Sequence, residues 1–232
     1  MPPMARSPRT PRPPTAPTAA DAPAPPARPA RARRKPPTAQ PRAGFPPEET
    51  TLTGQVLIAM PTMADSRFAQ SVIYLCAHTD EGAMGIVLNR PLAAPTFADL
   101  LSQLHVDPAP PARSIQLCQG GPVDHARGFV LHTADWTGDG SLRVDDKMAL
   151  TASLDILKAI AAGGGPKQGV LALGYAGWGP GQLDAEIQQN AWLSAPADLS
   201  LVFDDDHGTK WRRALAILHI DPLLLSPAAG RA

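Results

Sequence analysis

Between Ala5 and Thr51 the chain contains no valine, isoleucine, leucine or methionine, and Phe45 is the only aromatic residue there. A stretch with so little to bury cannot offset the entropy lost on ordering. Residues 1–47 are therefore predicted to be a disordered tail, and the fold is confined to residues 48–232. Proline points the same way: sixteen of the 28 prolines fall in residues 1–47, where they favour extended polyproline II segments. Charge divides at the same place. Residues 1–47 hold nine Lys/Arg against one acid, Asp21, whereas residues 48–232 hold twelve against twenty, so a formal charge of zero is the sum of +8 and −8. The densest basic cluster is Arg31-Ala32-Arg33-Arg34-Lys35. The tail has no apolar core for a secretory signal, and its prolines break the amphipathic helix of an organellar leader. Leu52 is the first position after Ala5 at which an alternative start could fall, which favours a translated tail. No apolar run approaches the roughly 20 residues of a membrane-spanning helix. Two cysteines, Cys76 and Cys118, both in apolar runs, fit reduced buried thiols rather than a disulfide scaffold.

Beyond residue 48 the pattern is that of a soluble folded domain. Residues 55–60 are a short apolar run stopped by Pro61, as in a buried strand. Residues 71–78 and 82–89 are β-branched and apolar, and the Thr79-Asp80-Glu81-Gly82 link predicts a hairpin. Thr96 and Asp99 stand at capping-box spacing ahead of Leu100, Leu101 and Leu104, which predicts a helix. Further strands are predicted at 114–118 and 128–133, with 142–144 pairing beyond the Asp139-Gly140 turn. Leu150, Leu154, Leu157 and Ala161 repeat at helical spacing until Gly163-Gly164-Gly165-Pro166 ends the run. A strand at 169–173, a glycine-rich loop, a helix near 183–190, a last strand at 199–203 and a helix over 210–220 complete the prediction. Adjacent antiparallel strands, with helices that do not alternate strictly between them, make this an α+β domain.

Two glycine-rich turns carry the candidate binding chemistry. Residues 174–181 join a predicted strand to a predicted helix, a place where backbone amides hold phosphate. The segment lacks the Gly-Lys-Ser/Thr of a P-loop, and Trp178 among its glycines fits a plug for a tight turn. Residues 120–128 carry Asp124, His125 and Arg127, and an anion could sit between Arg127 and the amides of the turn. Equally, Gly120 and Gly121 serve a simple chain reversal. Asn89 and Arg90 end a strand, facing the same pocket or capping the sheet. The candidate ligand-binding residues are thus Asn89, Arg90, Gly120, Gly121, Arg127, His132, Gly174 and Gly177. Asp204-Asp205-Asp206-His207 offers metal-type ligands, but four consecutive residues do not converge on one ion, and the run reads as acids before a helix. His78 and His132 lie at strand ends with no nucleophile beside them, which fits hydrogen-bonded structural residues; of the two cysteines, Cys118, beside Gln119-Gly120, is the candidate reactive thiol. No hydrolase, zincin or paired-cysteine motif occurs, so no metal, cofactor or catalytic residue is assigned.

Several segments taken together resemble the signature of the YqgE/AlgH family: residues 52–61, 82–91, 120–123, 127–132, 173–178, 181–183, Glu186-Ile187 and 190–193. The resemblance runs in order from about residue 52 to 232 and leaves the tail outside. It implies a bacterial cytosolic protein with a single compact α+β domain, whose mostly antiparallel or mixed sheet folds into a barrel-like core with flanking helices. Members are sometimes labelled transcriptional regulators, but the domain shows no helix-turn-helix and its −8 charge opposes a phosphate backbone. The resemblance implies no agreed catalytic residues. The chain departs from the family with Leu154 where arginine is common and Arg231 where histidine is usual.

Two functions follow as expectations. The first is a non-enzymatic interaction or regulatory protein that binds a protein partner through its domain, makes weak non-specific nucleic-acid contact through its tail, and does not enter a membrane. The second is an enzyme or small-molecule sensor whose anion pocket is built from the glycine turns with Asn89, Arg90, Arg127 and His132. Geometry separates them, because the second needs both turns in one concavity with Arg90 and Arg127 facing into it.

Overall fold

Alternation along the first strand sets the layers. In β1 (Gln55–Ala59), Val56 and Ile58 enter one apolar core while Leu57 and Ala59 enter another on the opposite face. The structure, a computed structural model, describes residues 51–107 and 113–221; the tail prediction and Arg231 lie outside the described residues. β1 pairs antiparallel with β2 (Val72–Thr79), β2 with β3 (Gly82–Val87), and β3 with β8 (Gly169–Trp178). From β8 the sheet continues antiparallel to β5 (Val123–Thr133), β7 (Met148–Thr151) and β6 (Ser141–Arg143). β4 (Gln116–Gln119) runs parallel to β8, and β9 (Trp192–Pro196) pairs with the free side of β1. The order is β6-β7-β5-β8-β3-β2-β1-β9, with the sheet curled into a half-barrel.

Five α-helices among the described residues cover the two faces. On the inner face, α4 (Leu199–Phe203) and α5 (His207–Ile217) bring Leu201, Val202, Trp211, Ala214 and Leu215 onto Val56, Tyr74, Ile86 and Leu131. On the outer face, α1 (Phe97–Gln103) and α2 (Leu154–Ala161) pack Phe97, Leu101, Ile156 and Ile160 onto Leu117, Val130 and Leu171. α3 (Gln182–Gln188) covers the other half of that face through Leu183, beside Trp178 and Trp192. Each fully buried leucine or isoleucine here contributes roughly 1.5–3 kcal/mol. Local signals fix the helix starts. Thr96 and Asp99 form the predicted capping box, with Asp99 N–H donating to Thr96 at 3.2 Å and Thr96 N–H to Asp99 at 2.8 Å. Asp206 caps α5 by accepting from Thr209 N–H, as the acidic run predicts.

Four expectations are corrected. Residues 199–203 form helix α4 and not a strand, because Asp198 accepts from Ser200 N–H at 2.8 Å and starts a helical turn. The true last strand is β9, immediately before it. Leu150 belongs to β7, and the helix it was predicted to open begins only at Leu154. The glycine-rich loop placed after residue 173 is strand as far as Trp178, so Gly174 and Gly177 are strand residues. β5 also begins earlier than predicted, at Val123 rather than 128.

Candidate functional site

β5 is regular only from Gly128 onward. Its pairing with β8 jumps from Val123↔Tyr175 to Gly128↔Leu173, so residues 124–127 bulge out, with Asp124 at φ +50°. Three concavities border this bulge. Val123, Arg127 and Phe129 line the first, Ala126, Gly128 and Val130 the second, and Pro122 and His125 the third.

The first is a wide, open concavity of about 620 Å³ on the inner face. Met84 and Tyr175, which pack against the main core, form its floor with Phe129. Phe129 and Tyr175 meet edge to face at 5.7 Å, and the Arg127 guanidinium lies 5.0 Å from the Phe129 ring centre. Both geometries are favourable aromatic contacts. Val123 on the rim is 36% exposed, an apolar side chain facing solvent beside a cation. Glu81 adds a negative charge to the same lining, and the Thr79 hydroxyl beside it donates to the Gly82 carbonyl at 3.4 Å.

The two glycine-rich segments do meet, but as a crossing of backbones. A Cβ on Gly120 would stand 2.2 Å from the Gly174 carbonyl oxygen, and one on Gly121 would stand 2.1 Å from the Tyr175 carbonyl carbon. Asn89 and Arg90 are engaged elsewhere. Asn89 Oδ1 accepts from Val72 N–H at 2.9 Å and its amide donates to the Gln70 carbonyl at 2.8 Å. Arg90 donates to the Ala69 carbonyl at 2.8 Å, so both residues fasten the loop entering β2, where Gln70 takes φ +53°. Arg90 and Gly121 line the third concavity, about 220 Å³, with Arg67 and His125; Arg127 and Gly177 line the first. The two arginines thus face different spaces. His132 joins neither, being fully buried between Thr133 and Thr151.

Other groups are tied into the framework. Glu186 accepts from two indoles with one oxygen, Trp178 Nε1 at 2.9 Å and Trp192 Nε1 at 2.7 Å, and from Gln182 with the other at 2.8 Å. This clamp explains why tryptophans flank the helix at these positions; the signal was the Gln182–Glu186 spacing of four between them. Lys210 has no exposed surface. Its ammonium donates to the carbonyls of Leu201 (2.6 Å), Val202 (3.2 Å) and Asp204 (3.0 Å) at the end of α4, and pairs with the Asp204 carboxylate at 3.3 Å. Burial lowers the Lys210 pKa, and Asp204 opposes that shift. Burial pushes the Cys118 thiol up to about 12, out of the reactive range, although Lys210 acts in the other direction. Among the described residues, no group of three or more His, Cys, Asp and Glu is placed to hold a metal ion, and no helix is long and apolar enough to cross a membrane.

Comparison with known proteins agrees with this architecture. Residues 56–223 match the AlgH-like family. A UPF0301 protein of Gluconobacter oxydans is 55% identical over 186 residues, spanning 79% of this chain and all of that relative. A UPF0301 protein of Rhodospirillum rubrum is 55% identical over 184 residues, spanning 79% of this chain and 96% of that one. The solution structure of the AlgH protein from Pseudomonas aeruginosa superposes with a TM-score of 0.65 at 44% identity, covering 82% of this chain and 100% of that chain. A crystal structure of a Corynebacterium diphtheriae protein gives 0.56 at 25% identity, with 75% and 90% covered. With the family match spanning residues 56–223, a relative 55% identical over its whole length, and a solved AlgH structure matching at 44% identity, the chain belongs to the AlgH-like family.

Proposed function

We propose that this is a non-enzymatic, regulatory protein of the bacterial cytosol that binds a protein partner on the open inner-face concavity. One observation carries the reading. At the end of the inner face not covered by α4 and α5, Met84, Phe129 and Tyr175 bring the main core to the surface, with Val123 36% exposed and Arg127 stacked on Phe129. An aromatic patch with a charged rim has the make-up of an interface centre. A partner presenting an apolar side chain next to a carboxylate would meet both the floor and Arg127. The non-enzymatic part is supported by the engagement of Asn89, Arg90 and His132 in framework hydrogen bonds. The +8 tail adds weak, sequence-independent contact with nucleic acid.

The test is in-cell crosslinking of the wild type and a Val123→Asp/Arg127→Glu variant, read by quantitative mass spectrometry. The variant is expected to keep its thermal midpoint and to lose the wild type's crosslinked partner by at least about tenfold, which corresponds to about 1.4 kcal/mol. Leu142→Glu, on the exposed edge strand β6, serves as control and should retain it. Unchanged crosslinking in the double variant would overturn the assignment.

A further inference from the structure

The third concavity beside the bulge, about 220 Å³, gathers Arg67, Arg90 and His125, and no Asp or Glu lines it. It does so in a domain whose charges sum to −8. Arg67 comes from a 3-10 turn, Ser66–Phe68, Arg90 from the segment after β3, and His125 from the β5 bulge. Gln119, the last residue of β4, joins the polar side, and its N–H donates to the Arg90 carbonyl at 2.8 Å. Both guanidiniums are held in place with donors to spare. Asp65 accepts from Arg67 Nε at 3.1 Å and from Nη2 at 2.7 Å, which leaves Nη1 unengaged among the described residues. Arg90 gives Nη2–H to the Ala69 carbonyl at 2.8 Å and forms no ion pair among the described residues. A guanidinium carries five N–H donors, so one framework bond orients it without exhausting it. Phe68, set edge to face on Trp192 at 5.6 Å, and Val87 form an apolar side.

We propose that this concavity binds a small phosphate ester, with the phosphate on the arginines and an apolar or aromatic body on Phe68. Charge selects the head, because an oxyanion supplies the counter-charge that Arg90 lacks. Donor number selects phosphate: Arg67, Arg90, Gln119 and His125 lie on separate segments and suit three terminal oxygens better than the two of a carboxylate. Size follows from volume, since a cavity of about 150 Å³ holds benzene and this one admits roughly six to ten non-hydrogen atoms. The Arg90 bond to Ala69 fixes the guanidinium before any ligand arrives, so the residue fastens the loop and presents a ready donor at once. The site shares no lining residue with the inner-face concavity. The proposal therefore stands or falls separately from the partner-binding reading.

The experiment titrates the full chain, its arginine and histidine side chains labelled with nitrogen-15, against phenylphosphonate, a non-hydrolysable stand-in for a phosphate ester. Saturable shifts are expected at Arg67, Arg90 and His125, which separates this site from the arginines of residues 1–47. Benzoate, inorganic phosphate and neutral benzamide should each bind at least about threefold more weakly. Arg67→Gln and His125→Gln, both at exposed positions, should keep the thermal midpoint and weaken phenylphosphonate about three- to tenfold. Lys158→Gln, the same loss of charge on α2, should leave the affinity unchanged. The proposal is overturned by shifts that are absent or confined to residues 1–47, by wild-type affinity in either site variant, by equal weakening in Lys158→Gln, or by any comparison ligand binding as tightly as the phosphonate.

Discussion

At the scale of single residues, the hydrogen bonds around His132 run in one consistent direction. Gly138 N–H donates to Ser141 Oγ (3.1 Å), Ser141 to Thr151 Oγ1 (2.7 Å), Thr151 to His132 Nε2 (2.8 Å), and His132 Nδ1–H to the Thr133 carbonyl (2.8 Å). The ring in that chain is neutral, with its proton on Nδ1. Charging it would force Nε2 to donate and both hydroxyls to reverse. Burial holds the His132 pKa below its ordinary 6.5, against the opposing pull of the Thr133 carbonyl and Asp135. His207 shifts the same way, first through burial and then through the Lys210 charge. Below pH 6.5 the unfolded chain therefore binds more protons than the folded one. The stability linked to these groups is complete above pH 6.5 and is lost as pH falls through their lower folded values. Asp99, Asp198, Asp204 and Asp206 are all held below 3.8, so they titrate outside this window. Urea unfolding is expected to give a smaller free energy at pH 5.5 than at pH 7.5, and His132→Gln to flatten that difference. An unaltered pH dependence in the variant would show that His132 plays no part in it.

One glycine decides the geometry of a whole element. Along β8, Val170 and Ala172 face the inner core and Leu171 the outer one, whereas beyond Gly174 it is Tyr175 that faces inward and Ala176 and Trp178 outward. The alternation slips by one residue at Gly174, which takes φ +75°. That slip puts Tyr175 on the floor of the concavity and Trp178 against Glu186. A Cβ at Gly174 would lie 2.7 Å from the Val123 carbonyl oxygen and 2.9 Å from that of Gly121. Gly177 is exposed, and a Cβ there would meet the edge of the Tyr175 ring at 3.1 Å. Gly174→Ala is therefore expected to cost more than about 3 kcal/mol from left-handed strain and overlap together, and Gly177→Ala less than about 1 kcal/mol. Denaturant titration of both variants checks this, and equal losses would refute the assignment of the slip to Gly174. The same element shows what was legible in the sequence. Glycine density marked 174–181 as unusual, but a bulged strand and a loop share that signature, and which one forms depends on Gly120 and Gly121 crossing from a distant part of the chain. The capping box at Thr96 and the acids before α5 were readable because their partners are three residues apart. Asp198 was not separated from a strand start, because Leu199, Leu201 and Val202 suit either period. Of the candidate site, Arg127 was legible as an exposed turn cation, whereas the fates of Asn89, Arg90 and His132 depend on contacts with distant chain segments.

Across the whole molecule, the division of charge governs any encounter with nucleic acid. Residues 1–47 carry +8 and residues 48–232 carry −8, so a phosphate backbone is attracted to one part of the chain and repelled by the other. If five to eight tail cations neutralise phosphates, counterion release gives a log–log salt slope of roughly −4 to −7 on duplex DNA. The acidic domain opposes the contact, which should leave affinity weak at physiological salt. Sequence reading needs base-edge donors held on a rigid element or aromatic rings for stacking, and the tail offers Phe45 as its single aromatic. Titrating several duplexes across a salt series with the full chain should therefore give one shallow affinity regardless of sequence. Replacing Arg31, Arg33, Arg34 and Lys35 by serine should reduce the slope by about 3 to 4, near 0.9 per lost contact. The fragment 48–232 should not bind measurably and should unfold at the temperature of the full chain, since residues 5–51 hold no aliphatic side chain larger than alanine or proline to dock on the domain. Tight, sequence-selective binding by that fragment would move recognition into the acidic domain and make that domain a direct reader of DNA.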